Sequence, residues 1–261
     1  MVLSYNHPMR IWAIGDLHLS LGIPDKEMDI FGPEWRLHHE KIAKNWDALV
    51  QPDDLVLIPG DISWAMHLDQ AQKDFEWIDA RPGVKVMIKG NHDYWWSSAS
   101  KIRKVLPPSL HVISNDAFFY KGVAIAGTRL WDSDEYTFSH LIEIKPQKEG
   151  KEKKEKPQED PEERERIFSR ELQRLEMSLQ AMNPAATYKI AMVHYPPLGT
   201  DLKDSRATAI FEKYKVNLVL FGHLHSLKKG LTLFGEKNGI NYQLTSCDFL
   251  NFTLLKVAEI P

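Results

Sequence analysis

VKVMIKGNHD, residues 84–93, is the stretch on which the reading of the fold turns. Its first half is apolar enough to sit in a sheet. Its second half sets a glycine, an amide, an imidazole and a carboxylate in direct succession, with Tyr94, Trp95 and Trp96 behind them. A turn can be built from small polar residues alone. Asn91, His92 and Asp93 therefore either cap a helix starting near Ser97 or point into a site.

Four more runs share this design: IWAIGD (11–16), LVLIPGD (55–61), KIAMVH (189–194) and NLVLFGH (217–223). Their near-continuous apolar character marks strands buried on both faces, as in a sheet covered by helices. Helical patterns fall between them. Leu37, Ile42, Trp46 and Leu49 form a stripe before the second run, and Leu68, Ala71, Phe75 and Ile78 one before the third. Alternating strand and helix predicts an α/β layered fold. Residues 110–127 read as strands with a turn at Lys121–Gly122, and residues 230–257 carry an Asn-Gly turn signal. Antiparallel strands should therefore flank the βα units, in a second sheet.

The chain has 261 residues, 43% of them hydrophobic, enough for one large domain with an insertion. A net charge of −3 and a sequence pI near 6.4 give no sign of a nucleic-acid binder. Cys247 is the one cysteine, which excludes an internal disulfide and a thiolate-rich zinc site. The first fifteen residues lack a signal-peptide core, and no apolar run reaches membrane-spanning length. The expectation is a soluble, cytoplasmic protein without a membrane segment, its oligomeric state open.

Residues 139–183 stand out as an insertion in a single domain spanning 1–261. KPQKEGKEKKEKPQEDPEERER, 145–166, cannot bury a core, so 145–160 is expected to be a mobile loop. A helix over 161–182 follows, with Asp160 as N-cap, Pro161 at its first position and Phe168, Leu172, Leu175, Leu179 and Met182 on one face. It reads as a docked helix, the alternative being a mobile lid or partner-binding arm.

Each of the five apolar runs ends in potential metal ligands or proton-transfer groups: Asp16 with His18, Asp61, Asn91 with His92, His194, and His223 with His225. Ligands bind beyond the carboxyl ends of strands in open α/β sheets, where such loops gather. Each short motif is weak alone, whereas five strand ends out of five make a pattern. Gly60, Gly90 and Gly222 each precede a site residue and allow a sharp turn or close backbone approach.

In order these motifs stand as GDLH (15–18), GD (60–61), GNHD (90–93), VHYPP (193–197) and GHLH (222–225). This set resembles the calcineurin-like metallophosphoesterase family. The resemblance implies two packed mixed β-sheets flanked by helices, with a two-metal site at the strand ends. Asp16, His18, Asp61 and His225 would hold one ion, and Asp61, Asn91, His194 and His223 the other, with Asp61 bridging. It also implies a binuclear phosphohydrolase that attacks a phosphomonoester or phosphodiester in line with a hydroxide shared between the ions. Oxygen and nitrogen donors without thiolate accept Mn²⁺, Fe²⁺, Co²⁺, Ni²⁺ or Zn²⁺, metal supply deciding among them; Mn²⁺ is the expectation, with iron and zinc next. His92 would assist the leaving oxygen.

Three side-chain roles stay open at this point. Asp93 either hydrogen-bonds His92 and raises its pKa or caps a helix. Arg129, in GTRLW after another apolar run, either forks onto a phosphate oxygen or makes a surface salt bridge. Trp64, Trp95, Trp96 and Trp131 either wall a pocket or pack beneath the loops. The expected partner is a small phosphate ester. A nuclease, a lipid-linked nucleotide pyrophosphatase and a non-catalytic metal-binding scaffold are the competing readings. The completeness of the motif set speaks against the scaffold.

Overall fold

The computed structural model describes residues 8–23, 26, 28–143, 160–228, 230–231 and 233–261. The expected mobile loop, apart from Asp160, lies outside the described residues. Strands β1 (Met9–Ala13), β2 (Leu55–Ile58), β3 (Val84–Met87), β4 (Leu110–Val112) and β11 (Leu255–Ile260) form a five-stranded sheet in the order β11-β1-β2-β3-β4. Strands β5 (Ala117–Tyr120), β6 (Val123–Thr128), β7 (Tyr188–Val193), β8 (Leu218–Phe221), β9 (Gly235–Lys237) and β10 (Ile240–Leu244) form a six-stranded sheet in the order β5-β6-β7-β8-β10-β9. Both sheets are mixed. β1 to β4 run parallel and β11 returns antiparallel along β1. β6, β7, β8 and β10 run parallel between the antiparallel edges β5 and β9.

Side-chain alternation along the strands explains why their sequences are apolar throughout. Ile11, Ala13, Leu55, Leu57, Ile190, Met192, Leu218 and Leu220 point into a core between the two sheets. Their neighbours Trp12, Val56 and Ile58 face helices α1 (His38–Leu49), α2 (Gln72–Asp79) and α3 (Ala99–Arg103). Ala191, Val193, Val219 and Phe221 face helices α4 (Pro161–Gln180) and α5 (Arg206–Lys213). With a period of two, each strand feeds one face to the other sheet and one to helices. The result is an αββα sandwich of two packed mixed sheets, and the five motif-bearing runs divide between them, three to one and two to the other.

Some local expectations change. Residues 110–112 join β3 in parallel, so only the 117–128 hairpin is antiparallel there. It turns at Lys121 and Gly122, both at positive φ, as do Asn238 and Gly239 between β9 and β10. Two successive positive φ values match the twist of a tight hairpin. α2 begins only at Gln72, leaving Leu68 in the preceding loop.

α4 starts where its signals place it. The Asp160 side chain accepts from Glu162 N, and Pro161 occupies the first turn. Phe168, Leu172, Leu175 and Leu179 bury themselves against Ala124, Ala126 and Ala191 of the second sheet. These small strand residues let the helix approach closely. Two buried polar groups on the same face are paired: Glu171 accepts from Thr128 Oγ1 at 2.6 Å, and Ser178 Oγ accepts from Gly127 N at 2.8 Å. The helix is thus satisfied on its polar as well as its apolar contacts with β6.

Candidate metal centre

All seven expected ligands converge at the carboxyl ends of β1, β2 and β3 from one sheet and β7 and β8 from the other. β1, β2, β3 and β8 stop short of their ligands, so loops deliver them, whereas His194 directly follows the last residue of β7. Asp16, His18, Asp61 and His223 have positive φ values of 56°, 45°, 52° and 72°. For residues with a Cβ this conformation is strained, and such strain clusters at functional sites. Close packing of the loops requires glycine at two points. A Cβ on Gly90 would sit 2.1 Å from Asp61 Oδ1, and one on Gly222 would sit 2.2 Å from Asp16 Oδ2.

Backbone donors aim the carboxylates. His92 N donates to Asp61 Oδ1 at 2.8 Å, which leaves Oδ2 to face 3.7 Å from His18 Nε2 and 3.4 Å from His194 Nε2. His223 N donates to both oxygens of Asp16, at 3.0 and 3.2 Å. On one side, His18 Nε2 and His225 Nε2 are 3.3 Å apart, with Asp16 Oδ1 3.5 Å from His225 Nε2. On the other, Asn91 Oδ1 lies 2.6 Å from His194 Nε2 and 2.9 Å from His223 Nδ1. Ligating atoms of Asp16, His18 and His225, and of Asp16, Asp61 and His194, fall within 4.8 Å of one another.

Outer contacts choose which imidazole nitrogen is free. His194 Nδ1 donates to Pro59 O at 3.1 Å, leaving Nε2 turned inward. His225 Nδ1 donates to Asp248 Oδ1 at 2.8 Å, and Asp248 Oδ2 is held by Ser226 N at 3.1 Å. Such partners orient metal-ligating histidines and strengthen them as ligands. Asp248 escaped the sequence reading. It follows β10 in LTSCD, 244–248, so the strand-end rule that found the other ligands applies to it as well.

Burial dominates the electrostatics. It pushes His18 and His223 well below the usual histidine range and lowers His194, so these rings stay neutral with a lone pair available. Burial, and then the Asp16 charge, raises Asp61 to about 8. Asp16 is held very low although burial opposes this, because His225 bonds to it and His225, His194 and His18 lie near. Burial also works against a charged His225, but its bonds to Asp16 and Asp248 raise it well above the ordinary value. Among the described residues, no lysine or arginine pairs with Asp16 or Asp61. Two buried carboxyl groups facing three neutral imidazoles, the His225 ring and an amide oxygen are a donor set that a dication completes, displacing the protons that Asp61 and His225 hold without it.

A sequence profile of the calcineurin-like phosphoesterase family matches residues 9–227. The chain belongs to that family. Among curated proteins, it is 39% identical over 85 residues to the Gene 66 protein of Mycobacterium phage D29, covering 32% of this chain and 40% of that one. It is 38% identical over 84 residues to the Gene 66 protein of Mycobacterium phage L5, covering 31% and 39%. The match thus spans about two fifths of the length of those relatives. Among solved structures, the TT1561 protein of Thermus thermophilus superposes with a TM-score of 0.50 at 15% identity, covering 95% of this chain and 97% of that one. That likeness concerns the fold alone. Among the described residues, no helix of this family member is long and apolar enough to cross a membrane.

The remaining candidate residues surround the centre. The His92 ring packs 4.2 Å from that of Trp64, which also stacks on His18 at 5.2 Å. Trp64 therefore walls the centre. Trp95 is buried beneath the loop against Phe75, and Trp96 packs against Trp95. Arg129 lies over Trp131, 4.3 Å from the ring centroid, and Trp131 in turn meets Tyr195, whose ring is 4.0 Å from His223.

Asp93 takes a position the sequence reading did not foresee. Its Oδ1 accepts from Ile62 N, Ser63 N and Trp95 Nε1, at 2.8, 3.1 and 3.0 Å. Its Oδ2 accepts from Gly90 N at 2.7 Å. These bonds clamp the loop after β2 to the loop after β3. The helix N-cap is Ser98, not Asp93. Burial, followed by the Asp61 charge, raises the Asp93 carboxyl to about 6. The carboxylate therefore acts on the loops that carry Asp61 and Asn91, and of the two alternatives open in the sequence the helix cap is corrected.

Proposed function

We propose that the protein is a binuclear metal-dependent phosphohydrolase acting on a phosphomonoester or phosphodiester. Asp16, His18, Asp61 and His225 hold one ion, and Asp61, Asn91, His194 and His223 hold the other. Mn²⁺ is the first expectation, with Fe²⁺ or Zn²⁺ also suited to these oxygen and nitrogen donors. The observation that carries this reading is Asp61 Oδ2, which faces His18 on one side and His194 on the other at 3.7 and 3.4 Å.

Two bound dications would polarise the phosphoryl oxygens and activate water for in-line attack. The protein supplies the rest. Asp16 and Asp61 contribute two negative charges against four positive ones, so the loaded centre keeps a surplus that draws an anionic phosphate. More carboxylates would hold metal more tightly and repel substrate. His92, beside the centre on the Trp64 wall, gives a proton to the leaving oxygen. Arg129 pairs with a phosphate oxygen at the rim, its guanidinium kept in place by Trp131. Asp93 and Asp248 keep the ligand loops and the His225 ring in register.

Two variants of the Mn²⁺-loaded protein test this. Asp61→Ala should abolish hydrolysis and bring bound metal well below two ions per chain by elemental analysis. His92→Ala should keep both ions and lose about 10²–10⁴-fold in kcat for an alkoxide leaving group, with a smaller loss for p-nitrophenolate. Full metal occupancy in Asp61→Ala would refute the shared-ligand assignment. An equal kcat loss for both leaving groups would move His92 from proton donor to charge stabiliser.

A further inference from the structure

A cavity of about 230 Å³ opens beside the ligand cluster, where the carboxyl ends of β3, β4 and β6 meet α4. At roughly 30 Å³ per water it has room for a phosphate group. Lys89, Arg129, Arg174 and Glu171 line it. Glu171 is nearly fully buried and is already occupied, accepting from Arg174 Nη1 at 2.7 Å and from Thr128 Oγ1 at 2.6 Å. Lys89 and Arg129 are half-buried, and among the described residues neither has a carboxylate within ion-pair distance. Lys89, Arg129 and Arg174 set three positive charges around the cavity against the one carboxylate of its lining, Glu171, and an anion placed between Lys89 and Arg129 relieves the repulsion that remains.

The cavity adjoins the metal centre on two sides. Lys89 precedes the ligand Asn91 by two residues on the same loop. The Arg129 carbonyl accepts from the amides of His194 and Tyr195 at 3.1 and 3.0 Å. A phosphate in the cavity would thus sit on the same loop as Asn91 and on the strand end that holds His194.

We propose that this cavity is a subsite for a second phosphate of the substrate, recognised by Lys89 and Arg129, so that the substrate class is a compound carrying two phosphates. This rests on the phosphohydrolase reading and specifies which substrates that centre selects. The second phosphate could belong to an anhydride or to a separate ester on the same molecule. In either case water supplies the oxygen that joins the cleaved phosphorus. The bond from that phosphorus to the leaving oxygen breaks, and the leaving oxygen takes a proton. The products are orthophosphate and the monophosphate.

The test compares AMP with ADP, the anhydride arm, and with adenosine 3′,5′-bisphosphate, the ester arm. Orthophosphate release is measured with the Mn²⁺-loaded full chain and with the Lys89→Met variant, which leaves Arg129 in place for the phosphate at the centre. The substitution breaks no ion pair among the described residues, and thermal unfolding confirms that the variant is folded. In the wild type, kcat/KM for at least one two-phosphate compound should exceed that for AMP by about tenfold or more, and the variant should lose that ratio, as removal of charge-assisted contacts implies. A ratio at or below one in the wild type, or one unchanged in the variant, overturns the subsite. If the loaded wild type hydrolyses none of the three, the hydrolase reading fails for this class, and inorganic pyrophosphate binding to the metal-free protein decides the cavity alone. Calorimetric binding about tenfold tighter in the wild type than in the variant supports the subsite. Equal or absent binding overturns it.

Discussion

Asp248 touches no expected ligand position except through His225, yet its bond to Nδ1 decides which nitrogen of that ring faces Asp16 and His18. Removing it frees the ring to rotate and weakens the imidazole as a ligand. Asp248→Ala should lower the affinity for the metal held by His225 by about 10–100-fold. A competitive chelator titration reads this directly, and Asp248→Asn, which keeps an acceptor for Nδ1–H, should recover part of the loss. An affinity unchanged in Asp248→Ala would reduce the bond to ring packing. The histidines and carboxylates of the centre could be read from sequence because their chemistry is distinctive and their strand-end position recurs. Asp248 and Lys89 could not be read so easily, since an acidic or basic residue in a loop is ordinary until a neighbour far along the chain gives it a task. Asp93 was open in the sequence between a bond to His92 and a helix cap, and neither pattern could show that the backbone turns its carboxylate toward Ile62, Ser63 and Gly90.

At the level of elements, α4 tests whether the 139–183 segment belongs to the fold. Leu175 is fully buried between the helix and the second sheet. Leu175→Ala should destabilise the protein by about 2–5 kcal/mol, the range for a buried leucine whose site cannot collapse. Denaturant unfolding gives the value, and a change below about 1 kcal/mol would mean that the helix opens independently of the core. The helix was legible because its cap, its Pro161 and its apolar face agree with one another. Strand positions were legible from their apolar runs, but their division between sheets was not. Continuous apolarity reports two buried faces and is silent on whether a sheet or a helix covers them. The direction of β4 was hidden for a related reason. Three residues carry too little pattern, and its parallel pairing with β3 is set by α3 crossing between them.

For the whole molecule, stability depends on pH through buried carboxyls away from the ligands as well as among them. Asp74, in the first turn of α2, is raised to about 6, by burial first and by the Asp93 charge, against the lowering bonds from Ser63 and Leu21. It titrates higher folded than unfolded, where 3.8 applies, so protonation favours the folded state. Its stabilising contribution is complete below about pH 3.8 and is lost as pH rises through about 6. With metal removed by a chelator, the wild type should gain roughly 1 kcal/mol over Asp74→Asn between pH 7.5 and pH 5. A difference between the two that stays flat over that range would show that Asp74 is already solvated. A different consequence follows from the pairing of β1 with β11, which joins Met9 to Ile260 and Ala13 to Leu255. A ribosome adds about 5–20 residues per second, so β1 waits on the order of 10–50 s for its partner. During that interval β2 can cover one side of it, while the other remains an open backbone edge carrying Ile11 and Trp12. That edge of β1 is therefore open to mispairing in the nascent chain until β11 has been made.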